Sequence, residues 1–313
     1  MTAQLKTLEN SATLPEEDVM NNRRQKSAVV WFVVLTFAMT WIFWGAIYLV
    51  KDEMPAVLYT LAIGLGMWGP GLAAILVTRF VLKEGLRRTT IGRLGRLRYY
   101  LWAWSLPIAF TLAALFLTVL FGIARFDFEL TWFRQQLQES PARLPPSLTP
   151  KVIFLIGTIP VLTLAPLINS IFALGEELGW RGFLLPRLIK TGMGQWKALF
   201  TSGAIWGIWH APIIAQGLNY PNHPYLGVLL MTAFCALLGV IFGWLQLACG
   251  SVWAPTLAHG TLNAVGGLPL CILTPFDAAL GGTMASVIGW IPLAVFIVWL
   301  AWSGRLPVRT QET

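Results

Sequence analysis

From Ala198 to Gly304 the chain contains no lysine or arginine and a single acid, Asp277. So long a stretch without ionised side chains cannot form the surface of a water-soluble domain, which needs charge on its exposed faces. The rest of the chain repeats this in milder form. Of its 313 residues 56% are hydrophobic and 12% charged, about half the charged share of roughly 25% found in soluble proteins. These figures exclude an ordinary soluble enzyme, a disordered chain and a nucleic-acid-binding module. No nucleic-acid partner is expected, because the net charge of +8 has an ordinary source in the basic loops of a membrane protein. Cys235, Cys249 and Cys271 stand in apolar surroundings without paired spacing, so neither a disulfide framework nor a cysteine metal cluster is expected.

Apolar runs of spanning length lie at 28–50, 56–82, 99–124, 152–175, 198–216, 225–249, 252–270 and 283–303. They predict an all-α polytopic bundle of about eight transmembrane helices, since a helix satisfies its own backbone groups in lipid. The first run exceeds the h-region of a signal peptide and lacks a small-residue cleavage site, so it reads as a retained span. No internal repeat is visible. Lysine and arginine then orient the bundle. With the N-terminus inside, sixteen fall on the cytoplasmic side and five on the other, and the positive-inside rule places both termini in the cytoplasm. The expected location is the plasma (cell inner) membrane.

The chain divides into a cytoplasmic tail (1–27), an N-terminal transmembrane region (28–150) containing a basic loop (83–98), a polar-bearing core (165–268) and a last helix with its tail (283–313). Loop 83–98, with Arg87, Arg88, Arg93, Arg96 and Arg98, suits anionic lipid headgroups. Residues 125–150 mix Phe and Trp with charges and end near Pro145 and Pro146, the pattern of an interfacial helix followed by a rigid linker.

Against this background the polar residues inside the spans stand out. The run Gly175-Glu176-Glu177-Leu178-Gly179-Trp180-Arg181 joins two apolar stretches. Each charge at mid-membrane costs roughly 2.5–3.5 kcal/mol on insertion scales, so three together need compensation. Glu177 and Arg181 have the i, i+4 spacing of a helical ion pair. Glu176 is rotated about 100° away and is left as the unpaired acid. On the fifth run Trp206 and His210 share a face, and on the seventh His259 and Asn263 do. His223, in a Pro/Asn-rich loop, reads as solvated. Taken singly, a membrane histidine or asparagine is often an interhelical contact. Together, a carboxylate, two imidazoles and an amide offer general-base chemistry with Glu176 as base, and hydrogen-bond donors for an oxyanion. Glu176, His210 and His259 would equally make a zinc-ligand set with an open water position.

The series Glu-Glu-x-x-x-Arg, aromatic-x-x-x-His and His-x-x-x-Asn on successive membrane helices resembles the CPBP family of intramembrane proteases. That family comprises the type II CAAX prenyl endopeptidases and the Abi group of bacteriocin-processing and immunity proteins. The likeness covers roughly 165–268 and departs at Trp206, where the family commonly has Phe. It implies that Glu176 and His210 activate a water, that His259 and Asn263 stabilise the oxyanion, and that Glu177 and Arg181 brace the site, with Trp206 packed among them. It also implies a peptide or protein substrate, prenylated or membrane-bound, and no metal cofactor. Three other readings stay open: the zinc-dependent form of the same protease, a non-catalytic immunity or maturation factor, and a transporter. The last is disfavoured because the polar residues are confined to one half of the chain.

Overall fold

The computed structural model describes residues 16–85, 90–140 and 148–308, and these form helices and connecting turns without a strand. Helix α1 (Glu16–Leu49) starts within the expected polar tail and runs through the first apolar stretch. After a 3₁₀ turn (Lys51–Glu53), α2 (Ala56–Gly66) and α3 (Gly69–Leu76) follow, the latter ending in a π-turn (Val77–Val81). Next come α4 (Arg98–Leu120), the short α5 (Thr131–Glu139) and α6 (Pro150–Gly179). A π-turn (Trp180–Leu184) carries α6 directly into α7 (Leu185–Lys190). The chain continues with α8 (Gln195–Trp209), α9 (Ala211–Ala215), α10 (Pro224–Cys249), α11 (Trp253–Val265), α12 (Leu268–Ile272) and α13 (Trp290–Trp302).

Among the described residues five helical segments are long and apolar enough to cross a membrane: Met20–Leu49, Ala56–Val81, Arg98–Leu120, Pro150–Lys190 and Pro224–Cys249. The chain is an integral membrane protein. The remaining apolar runs are interrupted, and local chemistry explains where. Run 198–216 breaks at His210 because Pro212, at the start of α9, has no N–H to continue the ladder. Run 252–270 breaks at Gly266-Gly267, between α11 and α12. Run 283–303 is α-helical only over Trp290–Trp302. The fourth run is longer than its apolar core, because the π-turn lets the helix pass Pro186 and end at Lys190.

Helix α10 packs along α8 and α11 along α6, while α4 backs α11 and α3 lies across α6. One end of the bundle is basic. There Arg24 donates to the Leu82 carbonyl, Arg187 binds Gln25 and Glu84, and Ser251 donates to the Arg93 carbonyl. At the opposite end Phe126 bridges Leu273, and Tyr220 donates to the Ala285 carbonyl at 2.6 Å. His223, expected to be simply solvated, donates from Nε2 to Asp277 at 2.7 Å, and this bond holds the Asp277 carboxyl below its ordinary range. Helix α5 supplies the expected amphipathic segment, with Glu129 bridging Arg134 and Lys151 beside it. Arg87, Arg88, Pro145 and Pro146 lie outside the described residues.

Candidate active site

Close helix approach comes before any chemistry here, and small residues permit it. A Cβ at Gly175 would stand 2.7 Å from the Met67 carbonyl oxygen, so only glycine lets the start of α3 rest on α6. A Cβ at Gly260 would stand 2.7 Å from the Ser170 backbone nitrogen, so glycine is equally what seats α11 against α6. These two approaches bring the acidic turn of α6 beside His259.

Glu176, Glu177, Arg181, Trp206 and His259 are all buried, with Glu177 wholly enclosed. Arg181 Nη1 donates to Glu177 Oε1 at 2.9 Å, the expected i, i+4 pair. The same oxygen accepts from His259 Nδ1 at 2.8 Å. Glu177 therefore orients an imidazole as well as pairing with a guanidinium. The arginine plane lies over Trp206, 4.3 Å from the ring centroid. Trp206 in turn meets the rings of His210 and His259 at 5.7 and 5.3 Å between centroids.

Among the described residues Glu176 makes no ion pair. Its Oε2 accepts from the indole N–H of Trp206 at 2.5 Å and from that of Trp180 at 3.3 Å. The contact from Trp180 escaped the sequence reading, although its i, i+4 spacing from Glu176 was the signal for it. His210 sits at the break between α8 and α9, half-buried, with Nδ1 2.9 Å from the Trp206 carbonyl oxygen. A carbonyl only accepts, so Nδ1 carries the proton and Nε2 presents a lone pair. Asn263 lies one turn beyond His259 on α11. It is exposed, and no hydrogen bond joins it to the cluster among the described residues.

Depth follows from helix rise. His259 lies six residues into α11 and Trp206 eleven into α8, both counted from the basic end, which is roughly 9 and 16 Å along the helices. Among the described residues three atoms of the charged pair, Glu177 Oε2 and Arg181 Nε and Nη2, have no hydrogen-bond partner. Among the described residues no three of His, Cys, Asp and Glu gather closely enough to hold a metal ion.

Residues 152–265, from the start of α6 to the end of α11, match the family model of the type II CAAX prenyl endopeptidase Rce1-like proteins. The matched segment contains every residue of the cluster together with His210 and Asn263. No curated protein matches the chain by sequence. The helices before the matched segment contribute packing: Phe32 of α1 lies edge-on to Trp180 at 5.6 Å, and Trp44 lies 4.6 Å from Trp209.

Proposed function

We propose that the protein is an intramembrane endopeptidase that hydrolyses a peptide bond in the half of the bilayer nearer its basic end, the cytoplasmic side under the positive-inside rule. The observation that carries the reading is a buried carboxylate that, among the described residues, is held by hydrogen bonds and by no ion pair, one of those bonds coming from Trp206, the indole whose ring meets both imidazoles. The match of residues 152–265 to the Rce1-like family model supports it. A structural acid in lipid is normally neutralised by a partner, whereas a general base needs its lone pairs open.

Roles follow from the donor and acceptor inventory. Glu176 and the Nε2 of His210 are both acceptors, so they suit the two protons of one water. As water oxygen attacks the peptide carbonyl carbon, its proton passes to Glu176 and the carbonyl oxygen becomes an oxyanion. His259, with Nδ1–H committed to Glu177, donates from Nε2 only as an imidazolium. Glu177 is the counter-ion for that form, and Asn263 supplies a second donor. Collapse breaks the C–N bond, and Glu176 returns its proton to the leaving amine. Such acid–base assistance is worth roughly 10²–10⁴ in rate, and each oxyanion donor about 10²–10³.

No step requires a metal. The zinc alternative, on Glu176, His210 and His259, predicts loss of cleavage with a zinc-selective chelator and recovery on adding zinc. Chelator-resistant cleavage supports the proposed route. The substrate class is a peptide or protein tail within reach of the membrane. Comparing the peptides of membranes holding the wild-type chain, Glu176→Gln and His210→Ala identifies it. A peptide trimmed only by the wild type is expected, and full trimming by either variant overturns the assignment. An immunity or maturation role without catalysis would instead leave the cellular phenotype intact in Glu176→Gln.

A further inference from the structure

We propose that Trp180 and Trp206 are positioning residues that grip Glu176 by Oε2, favour its ionised form within the membrane and direct any proton it takes to Oε1. The catalytic consequence rests on the reading of Glu176 as the base. Both indole N–H groups converge on the same atom, Oε2, from different elements: Trp206 from α8 and Trp180 from the first residue of the π-turn after α6. An indole N–H can donate and cannot accept. Both bonds therefore form only while Oε2 keeps its lone pairs, and a proton placed there would face two N–H groups. Oε1 takes no hydrogen bond among the described residues and is not enclosed as an orphan. It is the oxygen left to receive a proton.

The rest of the cluster holds this clamp in place. Arg181 lies over the face of Trp206 at 4.3 Å, and a cation there draws ring density and makes the N–H a better donor. Trp180 is fixed by Phe32 at 5.6 Å and Trp209 at 5.8 Å, both edge-on. In the proposed reaction, water's O–H bond breaks toward Oε1 as its oxygen bonds the carbonyl carbon. The same proton then leaves Oε1 for the amine nitrogen when the C–N bond breaks. Oε2 stays bonded to both indoles throughout, so the carboxylate does not rotate between the two transfers. Phenylalanine at 206 would keep a ring in contact with the histidines but would lose the donor. The tryptophan here is therefore an electrostatic feature as well as a packing one.

The test needs no substrate. Infrared spectra of the full chain in lipid vesicles, with Glu176→Gln subtracted, isolate the Glu176 carboxyl band and its pH titration. A hydrogen bond to a charged group corresponds to roughly one to two pH units in the titration midpoint. Trp206→Phe is expected to raise the midpoint by that amount and to narrow the splitting between the two carboxylate stretches. Trp180→Phe, losing the longer bond, should do the same by less, and it carries the test if Trp206→Phe fails to fold. An unchanged midpoint in a variant whose thermal unfolding matches wild type overturns the proposal. Peptide trimming by Glu176→Gln in the same vesicles would sink the hydrolytic reading alone, leaving the clamp to be judged on the infrared result.

Discussion

Two arginines one and a half turns apart, on the continuous helix α6–α7, each face a glutamate, and the pairs are built differently. Arg187 reaches Glu84 with both terminal nitrogens, at 2.8 and 3.4 Å, and adds Gln25 at 2.7 Å. It ties α7 to α1 and to the chain leaving α3, near the basic surface. Arg181 is buried and, among the described residues, makes one hydrogen bond, to Glu177, with Nε, Nη2 and Glu177 Oε2 left without hydrogen-bond partners. A pair that only joins helices is expected to use its hydrogen-bonding capacity, as the first does. Buried polar groups left unsatisfied mark a place where stability has been given up for something else. Here the single shared oxygen, Glu177 Oε1, also holds His259.

That contrast breaks first on activity. Glu177→Gln keeps the shape but removes the negative charge that His259 Nδ1 faces. If His259 then fails as an oxyanion donor, cleavage falls by about 10²–10³, measured as turnover of a trimmed peptide. Arg187→Gln, remote from the cluster, should leave turnover within twofold of wild type, roughly the scatter of such assays.

Stability gives the next largest separation. Arg181→Ala strands a buried carboxylate, at a cost of about 3–5 kcal/mol. Arg187→Ala removes partly solvated bonds and should cost about 1–3 kcal/mol, both read from unfolding in detergent. The double variant Glu177→Gln/Arg181→Met sharpens the point. Replacing both charges of a buried pair is often neutral or stabilising, so it should recover much of the stability lost in Arg181→Ala while cleavage stays low. Recovery of both would make the inner pair as purely structural as the outer one.

Much of this was legible in the sequence, for identifiable reasons. Charge scarcity specified a helical membrane protein, and i, i+4 spacing put Glu177 on Arg181, as observed. Spacing along one helix could not reveal the bond from Glu177 to His259, because that depends on how α11 crosses α6 at Gly260. Nor could apolar length tell that α6 passes Pro186 through a π-turn, or that Pro212 ends α8 at His210. Breaks of this kind are decided by one or two residues whose effect is averaged away in a spanning-length window. Asn263 is the converse case. Its motif named it, yet it stands exposed and makes no hydrogen bond among the described residues.

The smallest expected effect lies at the opposite end of the bundle. The Asp277 carboxyl is held below its ordinary value of 3.8 by His223. A carboxyl lowered on folding stabilises the native state above that value, and its contribution is lost as pH falls through the lowered one. Acidification through this range should speed hydrogen exchange in residues 273–289. Asp277→Asn should abolish the pH dependence with little loss of global stability, since exposed pairs are worth about 0–1 kcal/mol.

The most direct test of Glu176 as the base of a membrane-embedded hydrolysis is cleavage in ¹⁸O-labelled water. Wild-type and Glu176→Gln chains would be compared at equal abundance in vesicles, on the peptide that the membrane comparison identifies. The account predicts one ¹⁸O in the new terminal carboxyl for wild type, and product formation lower by about 10²–10⁴ for the variant. Equal labelled product from both chains would contradict it.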